Sequence, residues 1–535
     1  MNITEQILQG KTTLGIELGS TRIKAVLIGE NFAPIAAGTH DWENRFENGV
    51  WTYPLGAVRE GIAQCFAALK SDVRARYEVE LKTTASIGVS AMMHGYLAFD
   101  ADDRLLVPFR TWRNTTTAQA SAALTEAFAF HIPQRWSAAH LYQAILNREA
   151  HVPEIRFLTT LAGYVHWILT GEKVLGVGDA SGMFPIDGQT GTYNAQMLDQ
   201  FERLTAGESY PWHLADILPR IVPAGTCAGT LTEAGTRLLD PSGAFAAGIP
   251  FCPPEGDAQT GMVATNSIAP RTGNVSAGTS IFAMAVLERP LNAAHDEIDI
   301  VTTPCASPVA MVHCNNCSTD LDAWVKMLSG FLEITGAPLD KPALYDKIYE
   351  AALCGDADCG GLVTCNYHSG EHITGLPSGM PLLLRTPDAA FSVQNLMRSL
   401  IYSAMATLKI GMDILLIEEK IALDLLFAHG GLFKSPVTAQ RFLAGALGVS
   451  VAVTESAGEG GAWGIALLAA YLTRETRTET LAEFLQSRVF ACRAETVRTP
   501  DANDAAGFAA YMERFGVALA AERCAVEAKT NCDGE

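Results

Sequence analysis

Two short stretches, a whole domain's length apart, repeat one design and constrain the fold of this chain more than anything else in it. The first runs Thr13-Leu-Gly-Ile-Glu-Leu-Gly-Ser-Thr-Arg-Ile-Lys-Ala-Val-Leu-Ile28. Apolar and β-branched residues on either side of Gly19-Ser20-Thr21 read as two strands joined by a tight turn. The second runs Gly273-Asn-Val-Ser-Ala-Gly-Thr-Ser-Ile-Phe-Ala-Met-Ala-Val286, which is again strand, Gly278-Thr279-Ser280, strand. A turn built from one glycine and two hydroxyl residues offers backbone N–H and O–H donors to a phosphate. Arg22 and Lys24 would add positive charge beside the first turn. Two such hairpins, each opening a domain-sized stretch, predict two related α/β domains facing one cleft, with a polyphosphate lying against both turns.

The rest of the chain alternates in the same way. Thr84 to Met92 reads as a strand that ends at Met93-His94-Gly95, and Tyr96 to Phe99 starts another. Pro153 to Leu169 carries apolar residues at helical spacing, with Thr170-Gly171 as its stop. Val393 to Ile414 is predicted as a long helix, Leu423 to Ala428 as a buried strand, and Val449 to Val453 as a short one. Between the last two, His429-Gly430-Gly431 leads to Lys434-Ser435-Pro436, with Pro436 suited to the first position of a helix. A glycine-rich loop and a helix, Gly458 to Ala470, follow. The expected division is 1–265, 266–475 and a mostly helical tail over 476–535.

Composition narrows the partners. With 535 residues, 48% hydrophobic and 18% charged, the chain is globular and too long for a single compact core. A formal net charge of -20 argues against a general nucleic-acid or anionic-membrane surface, which needs a basic stripe. It leaves room for a nucleotide held by a few local cations and backbone amides. No secretion signal is read at the start, and the run Gly460 to Leu472 is too short to span a membrane. The expectation is a cytoplasmic protein whose 12 cysteines are reduced thiols, with a homodimer left open. Cys314-x-x-Cys317 has no second matching pair and is read as buried thiols, not as a zinc site.

Other nucleotide motifs fail. Gly10-Lys11-Thr12 has Glu5 where a Walker A loop needs glycine, and Gly458-Glu-Gly460 has Trp463 where a dinucleotide fingerprint needs its third. On residue chemistry alone, Asp257, in a glycine-flanked loop before the second hairpin, is either a helix cap or an acid–base group.

Taken in order, these motifs resemble the FGGY family of carbohydrate kinases, and the resemblance covers about Leu14 to Ala470. It implies two actin/hexokinase-like (ribonuclease H-like) α/β domains with an active site in the cleft between them. Gly19-Ser20-Thr21 and Gly278-Thr279-Ser280 resemble the two phosphate loops, and His429-Gly430-Gly431 through Ser435 the adenosine motif. Met93-His94-Gly95 resembles a sugar-site motif of xylulokinase-like members, and Glu255-Gly256-Asp257-Ala258 sits where the family carries its catalytic aspartate. Asp257 is therefore the expected base. His94, Trp112, Arg113 and Asp179 are expected to line the sugar pocket with Met93 and Gly95. ATP and Mg²⁺ are implied, with Glu17, where many members have Asp, and Asp257 near the metal, Glu17 through water. The stretches around Gly15–Lys24, Thr111–Asn114, Gly178–Ser181 and Pro254–Asp257 are similar to the L-ribulokinases of lactic-acid bacteria. The activity this implies is phosphorylation of a ketopentose at its terminal hydroxyl, L-ribulose first and D-xylulose as the alternative. An ATPase or an inactive sugar sensor on the same fold is the reading from another class.

Overall fold

A computed structural model describes residues 1–434, 436–454, 460–491 and 495–533. The first sheet is built from β1 (Thr13–Leu18), β2 (Arg22–Ile28), β3 (Pro34–Asp41), β4 (Ser86–Ala91) and β5 (Glu255–Gly256). Helix α1 (Leu55–Tyr77) lies between β3 and β4 in sequence, and α2 (Asp257–Ala264) follows β5 directly. The spatial order is β5-β4-β1-β2-β3. Strand β1 pairs antiparallel with β2 and parallel with β4, so the first glycine-hydroxyl turn is the hairpin expected.

The second sheet repeats this arrangement. It contains β6 (Thr272–Ala277), β7 (Ile281–Val286), β8 (Asp299–Thr302) and β9 (Pro308–Cys314). After the long helix α3 (Val393–Asp413) come β10 (Leu425–Gly430) and β11 (Ser450–Thr454), then helix α4 (Gly460–Leu472), β12 (Glu495–Arg498) and α5 (Ala502–Asp533). The order is β8-β9-β7-β6-β10-β11-β12. Within it, β9-β7-β6-β10-β11 has the order and strand directions of β3-β2-β1-β4-β5. The two-domain actin/hexokinase-like architecture is therefore present, with β8 and β12 added at the two edges.

The period-2 alternation of a strand explains how the halves meet. Leu14, Ile16 and Leu18 point into a core shared with α1, whereas Gly15 and Glu17 face the other way. Helix α4 lies on that second face. A side chain at Gly15 would put its Cβ 2.2 Å from the Ala462 carbonyl, so glycine is what lets the helix approach the sheet. In the second sheet Val275 and Ala277 likewise face their own core, and Met284 and Val286 face the first domain. Helices α2 and α4 share one apolar cluster with these outward faces. A cleft opens at the upper edge of this interdomain layer.

One expectation changes, and the structure adds a detail to two others. Pro153 to Leu169 is not one helix: Phe157–Thr159 forms a strand paired with Leu97–Phe99, and the helix proper is Leu161–Thr170. Thr160 starts it by accepting from the Gly163 N–H, and Gly171 ends it in the left-handed conformation. The tail is not only helical, since β12 joins the second sheet. Finally, Val393–Glu418 is long and apolar enough to cross a membrane by length and composition, but 67% of its most apolar window is buried in the protein. It is the central helix of the second core.

Candidate active site

Both hairpin turns reach the cleft, which encloses about 810 Å³ and is lined by Ser20, Ser280, Glu17, Asp257 and His94 among others. Each turn is fixed through its carbonyls. The Trp42 indole N–H donates to Gly19 O (2.7 Å) and the Tyr53 hydroxyl to Ser20 O (2.6 Å). In the second turn, the backbone N–H groups of Ser318 and Cys317 donate to Gly278 O and Thr279 O. A trans peptide points its C=O and N–H in opposite directions. Anchoring these carbonyls therefore turns the N–H groups of Ser20, Thr21, Thr279 and Ser280 away from the anchors, as an anion-binding nest requires.

Asp257 is the first residue of α2 and lines the cleft. Its Oδ1 accepts from the Met93 N–H (3.1 Å) and from the Ala258 N–H (3.0 Å). Burial raises its pKa against the opposing pull of those two donors. A carboxylate held on one oxygen and made more basic by its surroundings is suited to take a proton.

The Met93 contact ties the carboxylate to the Met93-His94-Gly95 motif. His94 and Gly95 both lie in the left-handed region, at φ +69° and +96°. A Cβ at residue 95 would meet the Phe109 ring at 2.7 Å, so the motif's glycine is required twice over. His94 Nδ1 lies 3.1 Å from Gly182 O, and only a protonated nitrogen can donate there. Burial, helped by the Arg135 charge, pushes the ring down to about 3. It is therefore neutral, with Nε2 as an acceptor. Trp112 is 38% exposed on the cleft wall, and Arg113 stacks over Trp51 at 4.1 Å while also lining the cleft.

Glu17 reaches the N-terminus of α4, where its Oε2 accepts from the Ala462 N–H at 3.0 Å. Burial and then the neighbouring Asp257 charge push it up to about 7. Lys24 sits opposite Glu17 in the β1–β2 register, on the same face, and its charge opposes that rise. Two hard oxygen donors side by side suit Mg²⁺, which keeps most of its waters. Among the described residues no group of three or more His, Cys, Asp or Glu is placed to hold a metal. The donor set thus fits an ion bound through its water shell.

Several expected residues are placed elsewhere. Arg22 pairs with Asp41 (2.6 Å) at the surface and is not on the cleft wall. Gly430, at φ +100°, is required by packing: its Cβ would lie 2.3 Å from Ala277 O. Its neighbour His429 lines the cleft, while Gly431 opens a short 3₁₀ turn. Ser435 and Gly458 lie outside the described residues. Asp179 is fully buried and absent from the wall, so the pocket-lining role expected of it is corrected: it stands one layer behind. Its Oδ2 accepts from the Thr160 hydroxyl (2.6 Å), and its N–H donates to Glu255 (2.8 Å). It is held there because it sits in a short buried helix whose N–H groups bind the Glu255 carboxylate.

Burial pushes Asp179 up to about 7, which links it to stability. The folded chain keeps a proton that the unfolded chain loses from about pH 4 upward, so stability falls until about pH 7 and the cost persists above it. Asp179→Asn, of the same shape and always neutral, is expected to raise Tm by several degrees more at pH 8 than at pH 5. Melting curves at the two pH values check this; an equal change at both contradicts it.

Sequence reasoning missed one group on the wall. Arg135 and His131 of the first domain face Asp299 on β8, and His313 and His372 stack nearby at 6.3 Å between ring centroids. Asp299 opens the four-residue strand Asp-Ile-Val-Thr, and nothing in that local pattern marks it as a wall residue.

Comparison with known proteins matches residues 12–264 to the N-terminal domain and 273–473 to the C-terminal domain of the FGGY family of carbohydrate kinases. A xylulose kinase of Haemophilus influenzae is 22% identical over 338 residues, which is 61% of this chain and 64% of that protein. The ligand-bound xylulose kinase from Lactobacillus acidophilus superposes with a TM-score of 0.78 at 16% identity, over 96% of this chain and 99% of that one. A gluconate kinase from the same organism gives 0.76 at 16% identity, over the same shares.

Proposed function

The chain belongs to the FGGY family of carbohydrate kinases, and from that membership we propose that it transfers the γ-phosphoryl group of ATP to the terminal hydroxyl of a ketopentose. The observation that carries this reading is the placement of Asp257. Its carboxylate lines the same cleft as both phosphate turns and is hydrogen-bonded to the backbone of the Met93-His94-Gly95 motif.

In this reading the turn amides of Ser20, Thr21, Thr279 and Ser280 hold the phosphates of ATP from both domains. Glu17, through water, and Asp257 would hold Mg²⁺, which would supply charge neutralisation for the transferred phosphoryl group. His94 Nε2 accepts from a sugar hydroxyl, and Trp112 covers the carbon skeleton. Asp257 Oδ2 takes the proton of the attacking hydroxyl as its oxygen bonds to phosphorus and the bond to the β-phosphate oxygen breaks. Phosphoryl transfer asks mainly for alignment and charge stabilisation, which a cleft closed by two rigid domains supplies.

The four sequence stretches similar to L-ribulokinases favour L-ribulose, which makes an enzyme of L-arabinose catabolism. The relative named as a xylulose kinase favours D-xylulose. A panel of L-ribulose, D-ribulose, D-xylulose, L-xylulose and glycerol, scored by kcat/KM for ADP release, separates them. One ketopentose is expected to exceed glycerol by at least ~100-fold, because a site built to hydrogen-bond hydroxyls rejects molecules that lack them. ADP release indifferent to every sugar would contradict the proposal and favour the ATPase reading.

A further inference from the structure

We propose that Arg135 and Asp299 form the far wall of the sugar site, one from each domain, and that they select a substrate whose remote end is uncharged. The inference rests on the kinase reading and adds the chemistry of the sugar's other end.

The wall can be followed atom by atom from the base. Asp257 Oδ1 accepts from the Met93 N–H, His94 follows, and the Gly95 N–H donates to Arg135 O at 3.3 Å. The end of the Met93-His94-Gly95 motif thus holds the backbone of Arg135, whose side chain lines the same cleft as Asp257 and His94. In the proposed arrangement a sugar that offers its terminal hydroxyl to Asp257 and another to His94 brings its opposite end toward Arg135. There the guanidinium donates to Asp299 Oδ2, and both side chains line the cleft. His131 faces Asp299 through Nε2 at 3.4 Å and Asp296 through Nδ1 at 3.5 Å.

The chemistry of the pair decides what it accepts. Arg135 has five N–H donors, of which Asp299 uses only part, and a carboxylate accepts at several lone pairs. Together they offer a donor and an acceptor to a keto group and a hydroxyl, with their charges cancelling. Burial would raise the Asp299 pKa, but Arg135 and His131 overcome it and hold the carboxyl well below its usual range, so its negative charge is permanent. A sugar acid entering in the same direction would set its carboxylate against that charge. Asp299 thus converts a site that would otherwise suit an anion into one for a neutral sugar.

Asp299→Asn tests this. It keeps an acceptor for Arg135 and removes the charge. The expected result is a rise of ~10-fold or more in KM for the preferred ketopentose, a gain in kcat/KM for the five-carbon aldonic acid, and a ratio shifted ~100-fold toward the acid. Arg135→Lys is expected to raise KM for the ketopentose more than it lowers kcat, because one ammonium cannot replace the fork. Melting temperatures of both variants establish that they fold. A ratio unchanged in Asp299→Asn, with both sugars losing equally, would reduce the pair to a structural bridge and overturn the proposal. Sugar binding without ATP, read by tryptophan fluorescence, carries the same expected change in ratio and needs no turnover. A wild-type protein that binds but does not phosphorylate would therefore count against the kinase reading and still decide this one.

Discussion

Asp257→Asn is expected to lower kcat by roughly 10²–10⁴-fold while the affinities for ATP and sugar change far less, because general-base assistance is worth about that much and asparagine keeps the shape of the side chain. Asparagine keeps the oxygen that accepts from the Met93 and Ala258 N–H groups, so the loop and the start of helix α2 stay in place. What disappears is the second carboxylate oxygen on the cleft side. Glu17 supplies a secondary readout. Its pKa is pushed up by burial and then by the Asp257 charge, so neutralising Asp257 is expected to make Glu17 easier to ionise. Steady-state kinetics give kcat, and calorimetry gives the two binding constants. A variant that retains turnover within about threefold would remove Asp257 from the chemistry.

The largest effect on stability is expected far from the cleft, at Asp504 near the start of helix α5. Its side chain is 1% exposed and receives two guanidinium groups: Arg398 of helix α3 on Oδ1 at 2.5 Å, and Arg441 of the Pro436–Leu447 helix on Oδ2. Arg398 is itself buried, where it also donates to the Tyr402 hydroxyl at 2.7 Å and to Gly355 O at 3.2 Å. Removing one partner of a buried pair strands the other charge, at a cost of about 3–5 kcal/mol. Asp504→Ala is therefore expected to lower the second domain's Tm by roughly 10 °C. Replacing both partners by apolar residues, Arg398→Met with Asp504→Leu, is expected to cost less than the single change, because Arg441 is 40% exposed and can turn to solvent. Thermal melts compare the three proteins. A shift under about 2 °C in Asp504→Ala would mean that the tail only rests on the domain.

That tail shows where the sequence could be read and where it could not. The two hairpins were legible because the pattern of strand, glycine-hydroxyl turn and strand occurs twice, a domain's length apart, and both turns reach the cleft. Strand β12 was not legible: all four of its residues are exposed at a sheet edge, so no apolar alternation marks it. Helix α5 was legible as a helix, but its three-ring contact through Phe508, Tyr511 and Phe515 with the second core has no signature beyond ordinary helical spacing.

At the site the same division holds. Asp257, His94 and Gly95 were expected at the site because their motifs resemble those of the family; residue chemistry alone left Asp257 either a helix cap or an acid–base group. Arg135 and Asp299 meet only when two domains close on each other, and neither carries a local mark of that meeting. Asp179 was expected on the wall because the stretch Gly178–Ser181 is similar to L-ribulokinases, but sequence does not record which side of a short helix faces inward. The family's aspartate-to-glutamate change at residue 17 acquires a physical reason only in three dimensions, where the longer side chain reaches the Ala462 N–H at the start of helix α4.

The most direct test of the account follows the label from γ-phosphate-labelled ATP in the presence of Mg²⁺ and each ketopentose. The label is expected to move into a sugar phosphate in step with ADP release, and Asp257→Asn is expected to lose this transfer while still binding both substrates. Label recovered only as inorganic phosphate, at a rate that no sugar changes, would contradict it.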